Sequence, residues 1–275
     1  MRAQRGRGNV TRDEVVDLLA GRGMPDQDLF AAARAIRAAV FQDHVVVRGV
    51  VELTNMCRVN CTFCPMRRDN TLENATYILD EETVLMKSCE ARALGINVVF
   101  IQGGEIPQTT DVLERAIPRI LEAFHGEVEI LLNLGNKSRA EYERLKSAGA
   151  YSYILKHETA DAALYQEMKF ETLDQRLRCL SDLLDLGFKV GTGSIIGLPG
   201  QTLGHVADDI LLAKRLGTHM VSASPFVPAP RTPIERHPGG SLQHVRDILR
   251  ANSLRIGGSW WVPGRNTPRP ANDQP

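Results

Sequence analysis

Four amphipathic stretches of this chain, at 81–94, 139–148, 175–186 and 203–216, run into glycines that sit just before short apolar segments. These are Gly95, Gly149, Gly187 and Gly217. Glycine suits the left-handed residue that closes a helix, so each phrase reads as helix, cap and strand. The strand segments are 50–54, 97–102, 128–134, 151–155, 189–196 and 219–224. Helix starts are marked as well: Asp80 can cap one, and Ser138 with Glu141 makes an S-x-x-E capping box. Short apolar strands alternating with helices point to parallel βα units. The count is six such units, fewer than the eight of a closed barrel. The expected fold class is α/β, a (βα)6 partial TIM barrel with N-terminal helices and a short irregular C-terminal tail.

Ahead of the barrel, 11–22 and 26–40 read as two helices that pack at the bottom or side of the sheet. Thr11 with Glu14 forms another capping box, and Val15, Leu18 and Leu19 recur at helical spacing. After 224, Pro225, Pro228, Pro230 and Pro233 forbid regular structure, and 242–251 offers one more helix. The stretch 257–275 reads as loop or disorder, with Trp260 and Trp261 as packing anchors. The domain expectation is a helical extension at 1–47, the barrel core at 48–255 and a loop or disordered tail at 256–275.

A chain of 275 residues has ample length for a core. Lys+Arg and Asp+Glu balance at 33 each, which gives no footprint for nucleic acid or an anionic membrane. The basic cluster Arg2, Arg5 and Arg7 reads as a solvated tail. No apolar stretch approaches the ~20 residues needed to cross a bilayer, and the N-terminus lacks the apolar region of a secretory signal. The expected location is cytoplasmic, with no nucleic-acid or membrane partner. Five cysteines, three of them bunched, do not form a secreted disulfide framework.

The bunched cysteines are Cys57, Cys61 and Cys64, directly after the first strand segment. In parallel α/β folds, sites form at the C-terminal ends of strands. A CxxxCxxC spacing offers three thiolates, whereas a closed structural zinc site takes four protein ligands. Three cysteines on a [4Fe–4S] cubane leave one iron free for a substrate or cofactor. The second strand ends in Gln102-Gly103-Gly104-Glu105. There the paired glycines allow close approach to the backbone, and Glu105 supplies an acceptor for an ammonium group. A zinc site would need a fourth ligand such as His125, His157 or Cys89, and none forms a recognisable second half-site. Cys89 and Cys179 lie in helical stretches and read as buried small hydrophobes.

Taken together, these residues make the chain resemble the radical S-adenosylmethionine (SAM) superfamily. Cys57-x-x-x-Cys61-x-Phe63-Cys64 matches its CxxxCxΦC loop, with Φ aromatic, and Gly103-Gly104-Glu105 matches its GGE motif. Gly193-Ser194-Ile195-Ile196-Gly197 matches its glycine–isoleucine motif, although Leu198-Pro199-Gly200-Gln201-Thr202 stands where an acidic residue usually follows. Within the superfamily the likeness is to the biotin-synthase group. The phrases Arg48-Gly49-Val50-Val51-Glu52, His157-Glu158-Thr159-Ala160 and Ala223-Ser224-Pro225-Phe226 resemble those of iron-only hydrogenase maturases and methylornithine synthases.

The resemblance implies that Cys57, Cys61 and Cys64 bind three irons of one [4Fe–4S] cluster, and that SAM chelates the fourth. Glu105 would hold the SAM amino group, Glu158 the ribose and Arg176 the carboxylate, a task suited to a guanidinium fork. Phe63 and the backbone around 195–198 would sandwich the adenine, so Gly103, Gly104, Ile195 and Gly197 join the cofactor-binding set. One electron from an external reductant of flavodoxin or ferredoxin type would cleave SAM. The resulting 5′-deoxyadenosyl radical would abstract hydrogen from a small biosynthetic metabolite.

The fifth strand carries no cysteine and none follows Cys179, so sulfur insertion from a second cluster is not expected. No cobalamin-binding region precedes the core, which disfavours methyl transfer of that kind. Rearrangement, epimerisation, C–C bond formation and lyase chemistry all fit, and no general base is identifiable. The alternatives are a metallocofactor maturase related to hydrogenase maturation, and a zinc-binding structural module. A six-unit core leaves one side open. Either the substrate is large, or a partner or second copy in a homo-oligomer covers that side.

Overall fold

Every strand of the single sheet lies beside its neighbour in sequence and runs parallel to it, in the order β1-β2-β3-β4-β5-β6. The structure, a computed structural model, describes residues 10–22, 25–42, 44–70 and 75–240. Helices α1 (Arg12–Leu19) and α2 (Asp26–Phe41) precede β1 (Gly49–Thr54), followed by α3 (Glu81–Ala93), β2 (Val98–Gly103), α4 (Gln108–Ala123) and β3 (Glu129–Asn133). Then come α5 (Arg139–Ser147), β4 (Ser152–Ile154), α6 (Ala162–Lys169), α7 (Leu173–Asp185), β5 (Lys189–Ile196), α8 (Leu203–Leu216) and β6 (Met220–Pro225). This is the α/β arrangement of a partial barrel. Each parallel pair needs a crossover, and the helices supply it on one face. Among the described residues β1 pairs only with β2 and β6 only with β5, so the barrel is not closed.

The period-two alternation of the strands builds the main core. Val51, Leu53, Val99, Ile101, Ile130, Leu132 and Tyr153 turn outward and pack on Leu113, Ile117, Ile120, Leu145, Leu180 and Leu183 of the helices. Tyr153 stands at the centre, with edge-on contacts to Tyr142 and Phe188 at 5.3 and 6.1 Å between ring centres. The local signals act as read from the sequence. Asp80 accepts from Thr83 N at 2.8 Å, and the Ser138–Glu141 and Thr11–Glu14 boxes both form. The four cap glycines all adopt positive φ, between 65 and 110°.

Helix α1 lies at the side of the sheet, where Val15 and Leu19 pack on Val206 and Ile210 of α8. An exposed Arg12–Asp208 pair at 2.8 Å borders this contact and contributes little by itself. Two helices carry weaker signals. Helix α4 holds Pro118 in its interior, which interrupts the sequence pattern. Helix α6 has only eight residues, and Asp161 caps it through Leu164 N. The stretch 242–251, the tail with Trp260 and Trp261, and Arg2, Arg5 and Arg7 lie outside the described residues. Among the described residues no helix is long and apolar enough to cross a membrane.

Candidate active site

The loop that follows β1 is built around its first cysteine. Cys57 Sγ accepts from Val59 N at 3.4 Å and from Glu105 N at 3.3 Å. The second of these bonds comes from the end of β2. Arg58 N returns to the Glu105 carbonyl at 3.1 Å, so the loop and the strand end are cross-tied. The glycines ahead of Glu105 make this contact feasible. A Cβ at Gly104 would meet the Met56 carbonyl and lie 2.8 Å from Cys57 Cβ, and one at Gly103 would lie 2.9 Å from the Thr54 side chain. The room expected for a ligand beside these glycines is taken by the cysteine loop itself. Further along, Thr62 N donates to Met168 O at 2.8 Å and fastens the loop to the end of α6.

The Glu105 carboxylate is 5% exposed and already partnered. Oε1 accepts from Arg58 Nη2 and Oε2 from Asn136 N, both at 2.6 Å. Asn136 follows Gly135, whose φ of 72° lets the turn after β3 pass against the carboxylate. A carboxylate has about four acceptor sites, so two remain for another donor. Sequence reasoning singled out neither Arg58 nor Asn136. The one signal for the latter is the Gly135-Asn136 pair directly past a strand.

At the end of β4 the backbone takes a rare path. Glu158 has φ 61°, and Thr159 N donates to His157 O at 2.7 Å, which makes a three-residue turn with Glu158 at its apex. Two bonds to β5 hold that apex: Glu158 N to Gly193 O, and Ile195 N to Glu158 O, each 2.9 Å. The Oε2 atom of Glu158 is buried with no hydrogen-bond partner. Glu158 thus combines a strained backbone with an unsatisfied buried acceptor, a combination that clusters at ligand-binding positions.

Beneath the turn, His157 and Asp209 are each 1% exposed. Burial holds the His157 imidazole down to about 3 and pushes the Asp209 carboxyl up to about 8.

Arg176 is also buried, at 3% exposure, while its neighbour Arg178 is exposed. Arg176 Nε donates to Tyr165 OH at 2.9 Å. No described residue hydrogen-bonds to its two Nη groups, and the charges of both Glu105 and Glu158 reach it. A fixed fork with free donors suits a planar anion. Phe63 packs on an apolar group of Leu164, Met168, Ile195, Leu198 and Phe226. Gly197, at φ 91°, lies against Gly240, so that the segment after β6 folds back over the end of β5. Phe226 N to Ile196 O, at 2.7 Å, fixes the same return. Sequence-selected residues from four strand ends thus come to one rim. Of the other two cysteines, Cys89 and Cys179, the fields of Arg176 and Glu105 reach Cys179, whose Sγ donates to Lys137 O at 3.6 Å. Both cysteines are half-buried, in α3 and α7.

Three thiols in one loop are a donor set that fits an iron–sulfur cluster. Among the described residues no three His, Cys, Asp or Glu side chains converge as the ligands of one ion would. Thiolates bound to three separate irons of a cubane need no such convergence. Burial pushes the Cys61 thiol up to about 12, against which the Lys169 charge works, and it raises Cys64 as well. The fields of Cys57, Cys64 and Glu158 also reach Cys61, so these groups share one neighbourhood. Metal cations reverse that penalty by deprotonating a coordinated thiol. The two N–H···S bonds to Cys57 are the kind that support cluster sulfur ligands.

A family model described as the Radical SAM superfamily matches residues 51–213. The chain is 35% identical over 240 residues to the [FeFe] hydrogenase maturase subunit HydE of Thermotoga maritima, covering 86% of this chain and 68% of that protein. It is 26% identical to the biotin synthase of Cutibacterium acnes, covering 86% and 66%. Among solved structures, methylornithine synthase (PylB) superposes with a TM-score of 0.80 at 20% identity, covering 91% of this chain and 74% of that one. The maturase HydG from Carboxydothermus hydrogenoformans gives 0.76 at 26% identity, covering 90% and 60%. The chain thus spans about two thirds of the length of the curated relatives it matches.

Proposed function

This chain belongs to the radical SAM superfamily, whose enzymes use a [4Fe–4S] cluster and SAM, and on that premise we propose that it abstracts hydrogen from a small biosynthetic metabolite. Rearrangement, epimerisation, C–C bond formation or a lyase step would follow from that abstraction. Cys57, Cys61 and Cys64 would hold the cluster. Glu105 would take the SAM ammonium through its remaining acceptor sites. Arg176 would pair with the carboxylate, Glu158 would accept from the ribose hydroxyls, and Phe63 with Ile195 and Gly197 would flank the adenine. One-electron cleavage of SAM, which yields methionine and a hydrogen-abstracting radical, is the chemistry these cofactors supply when bound.

The observation that carries this reading is a complementary pair: a buried Glu158 oxygen without a donor, and Arg176, a buried residue bonded to Tyr165 through Nε with its Nη groups unpartnered among the described residues. An amino-acid carboxylate and a ribose diol supply what each lacks. The remaining roles of the protein are to orient and to exclude water. Tyr165 aligns the fork, Arg58 and Asn136 N fix the Glu105 carboxylate, and the apolar group around Phe63 keeps solvent from the rim. Like the rest of its family, the enzyme needs a one-electron reductant and a small-molecule substrate. A reductant of flavodoxin or ferredoxin type fits that need. Anaerobically reconstituted protein, reduced and screened against deuterated candidate metabolites, should release 5′-deoxyadenosine carrying deuterium with one of them. Failure to cleave SAM by a protein that holds four irons would overturn the assignment.

A second reading, work on a metallocofactor, rests on the 35% identity to the hydrogenase maturase subunit over 86% of the chain. Adding the chain to a hydrogenase maturation mixture that lacks only that subunit tests it. Hydrogenase activity supports the reading, and its absence with a SAM-cleaving preparation overturns it.

A further inference from the structure

The turn that presents Glu158 is costly, since a γ-turn with positive φ is rare and strained and survives only where its surroundings over-determine it. Its leading arm is fixed through His157 and its trailing arm through Asp209 of α8, whose Oδ1 accepts from Ala160 N at 2.5 Å. The tautomer of His157 follows from its partner. Thr192 Oγ1 gives its one hydrogen to Leu155 O at 3.0 Å. It can therefore only accept from His157, and Nδ1 lies 2.9 Å away. The hydrogen sits on Nδ1, and Nε2 presents a lone pair.

That Nε2 has no partner, and neither has Asp209 Oδ2; both atoms are fully buried. The two side chains face each other, with Nε2 3.9 Å from Asp209 Oδ1. An ionised Asp209 would set a carboxylate against a lone pair in a water-poor site, and both atoms would pay for it. A proton on the acid removes this repulsion and turns a donor toward Nε2, across a gap of 3.9 Å that is longer than a hydrogen bond. The Ala160 amide and the Thr159 and Ser194 hydroxyls favour the ionised carboxylate, but burial outweighs them, and the Asp208 charge on the same helix adds to the neutral form.

We propose that Asp209 is held as the neutral acid, with its proton facing His157 Nε2, and that this buried one-proton pair braces both arms of the turn that aims the Glu158 carboxylate. Asp209 is then a positioning residue, acting through Ala160 and the turn. The inference rests on the assignment of Glu158 to the SAM ribose.

The test measures SAM affinity by calorimetry on reconstituted holoprotein, with iron content and melting temperature followed alongside. Asp209→Asn keeps an acceptor for Ala160 N–H and a donor for Nε2, so affinity should stay within about twofold of the parent. Asp209→Leu removes both and should weaken SAM binding about tenfold or more at unchanged iron content. His157→Leu removes the other half of the pair and should give a similar loss, which serves if Asp209→Leu does not fold. Asn as damaging as Leu would identify an ionised acceptor and overturn the proposal. So would full affinity in the foldable leucine variant. Glu158→Ala separates the two readings: if it leaves affinity intact, the ribose assignment fails. If it alone weakens binding, only the brace does.

Discussion

The Glu105 amide donates to Cys57 Sγ at 3.3 Å, and so joins the end of β2 to the first cysteine of the loop after β1. A thiolate gains from such a donor, and a cluster ligand receives part of its tuning through it. The bond also explains the glycines. The turn approaches the loop so closely that a side chain at Gly104 would meet Met56 and Cys57. The cysteine loop and the end of β2 form one unit.

Gly104→Ala should therefore cost cluster loading without removing a ligand. The added Cβ would lie on the Met56 backbone, which cannot swing aside as a flexible side chain can. Iron content after reconstitution should fall to less than half. Gly95→Ala is the control, because its Cβ meets nothing within 4 Å and costs only about 1–2 kcal/mol of left-handed backbone strain. Equal iron in both variants would contradict this account.

Cys61→Ala should abolish cluster binding, since two remaining thiolates cannot hold a site-differentiated cubane. Iron and sulfide analysis reads this directly. Undiminished iron together with normal 5′-deoxyadenosine formation would sink the ligand assignment.

Arg176→Lys should weaken SAM binding about tenfold, because a lysine has no fork for the carboxylate and no Nε for Tyr165 OH. Cluster content should not change. Calorimetry with SAM and with methionine should show the same loss, which places the defect at the amino-acid end. Unaltered affinity for both would remove Arg176 from the site.

Stability should fall in acid through His157. Its folded pKa is lowered to about 3 by burial, below the usual ~6.5 of an unfolded chain. The folded state then binds fewer protons between these values. The stabilisation is complete above pH ~6.5 and is lost as pH falls toward ~3, by up to ~1.4 kcal/mol per pH unit. Melting temperatures from pH 7 to 4 should drop more steeply for the parent than for His157→Gln. Parallel slopes would show that the imidazole does not titrate as described.

Much of the fold was legible because its signals are local. Capping boxes, cap glycines and period-two apolar runs each depend on residues a few positions apart, and all six strands fall within two residues of their sequence-read bounds. Helix α4 was obscured by Pro118, and α6 by its eight-residue length. In the site, the cysteine triplet and Gly103-Gly104-Glu105 could be read as motifs. Arg58, Asn136 and Asp209 could not, because their partners lie 31 to 49 positions away.

The sequence by itself determined the order of βα units, the three thiols in one loop and the acidic strand ends, since these follow from spacing and local propensity. The family resemblance selected Arg176, but only the tertiary structure decided that it, and not Arg178, turns inward. Arg176 and Arg178 are equivalent as letters, but the face of α7 that packs on the sheet takes one into the interior and leaves the other in water. It likewise decided that the glycine pair accommodates the cysteine loop, and that a histidine and an aspartate 52 positions apart in sequence meet 3.9 Å apart beneath Glu158. Such pairings depend on how a sheet curls and where each helix rests on it, which no local run of residues encodes.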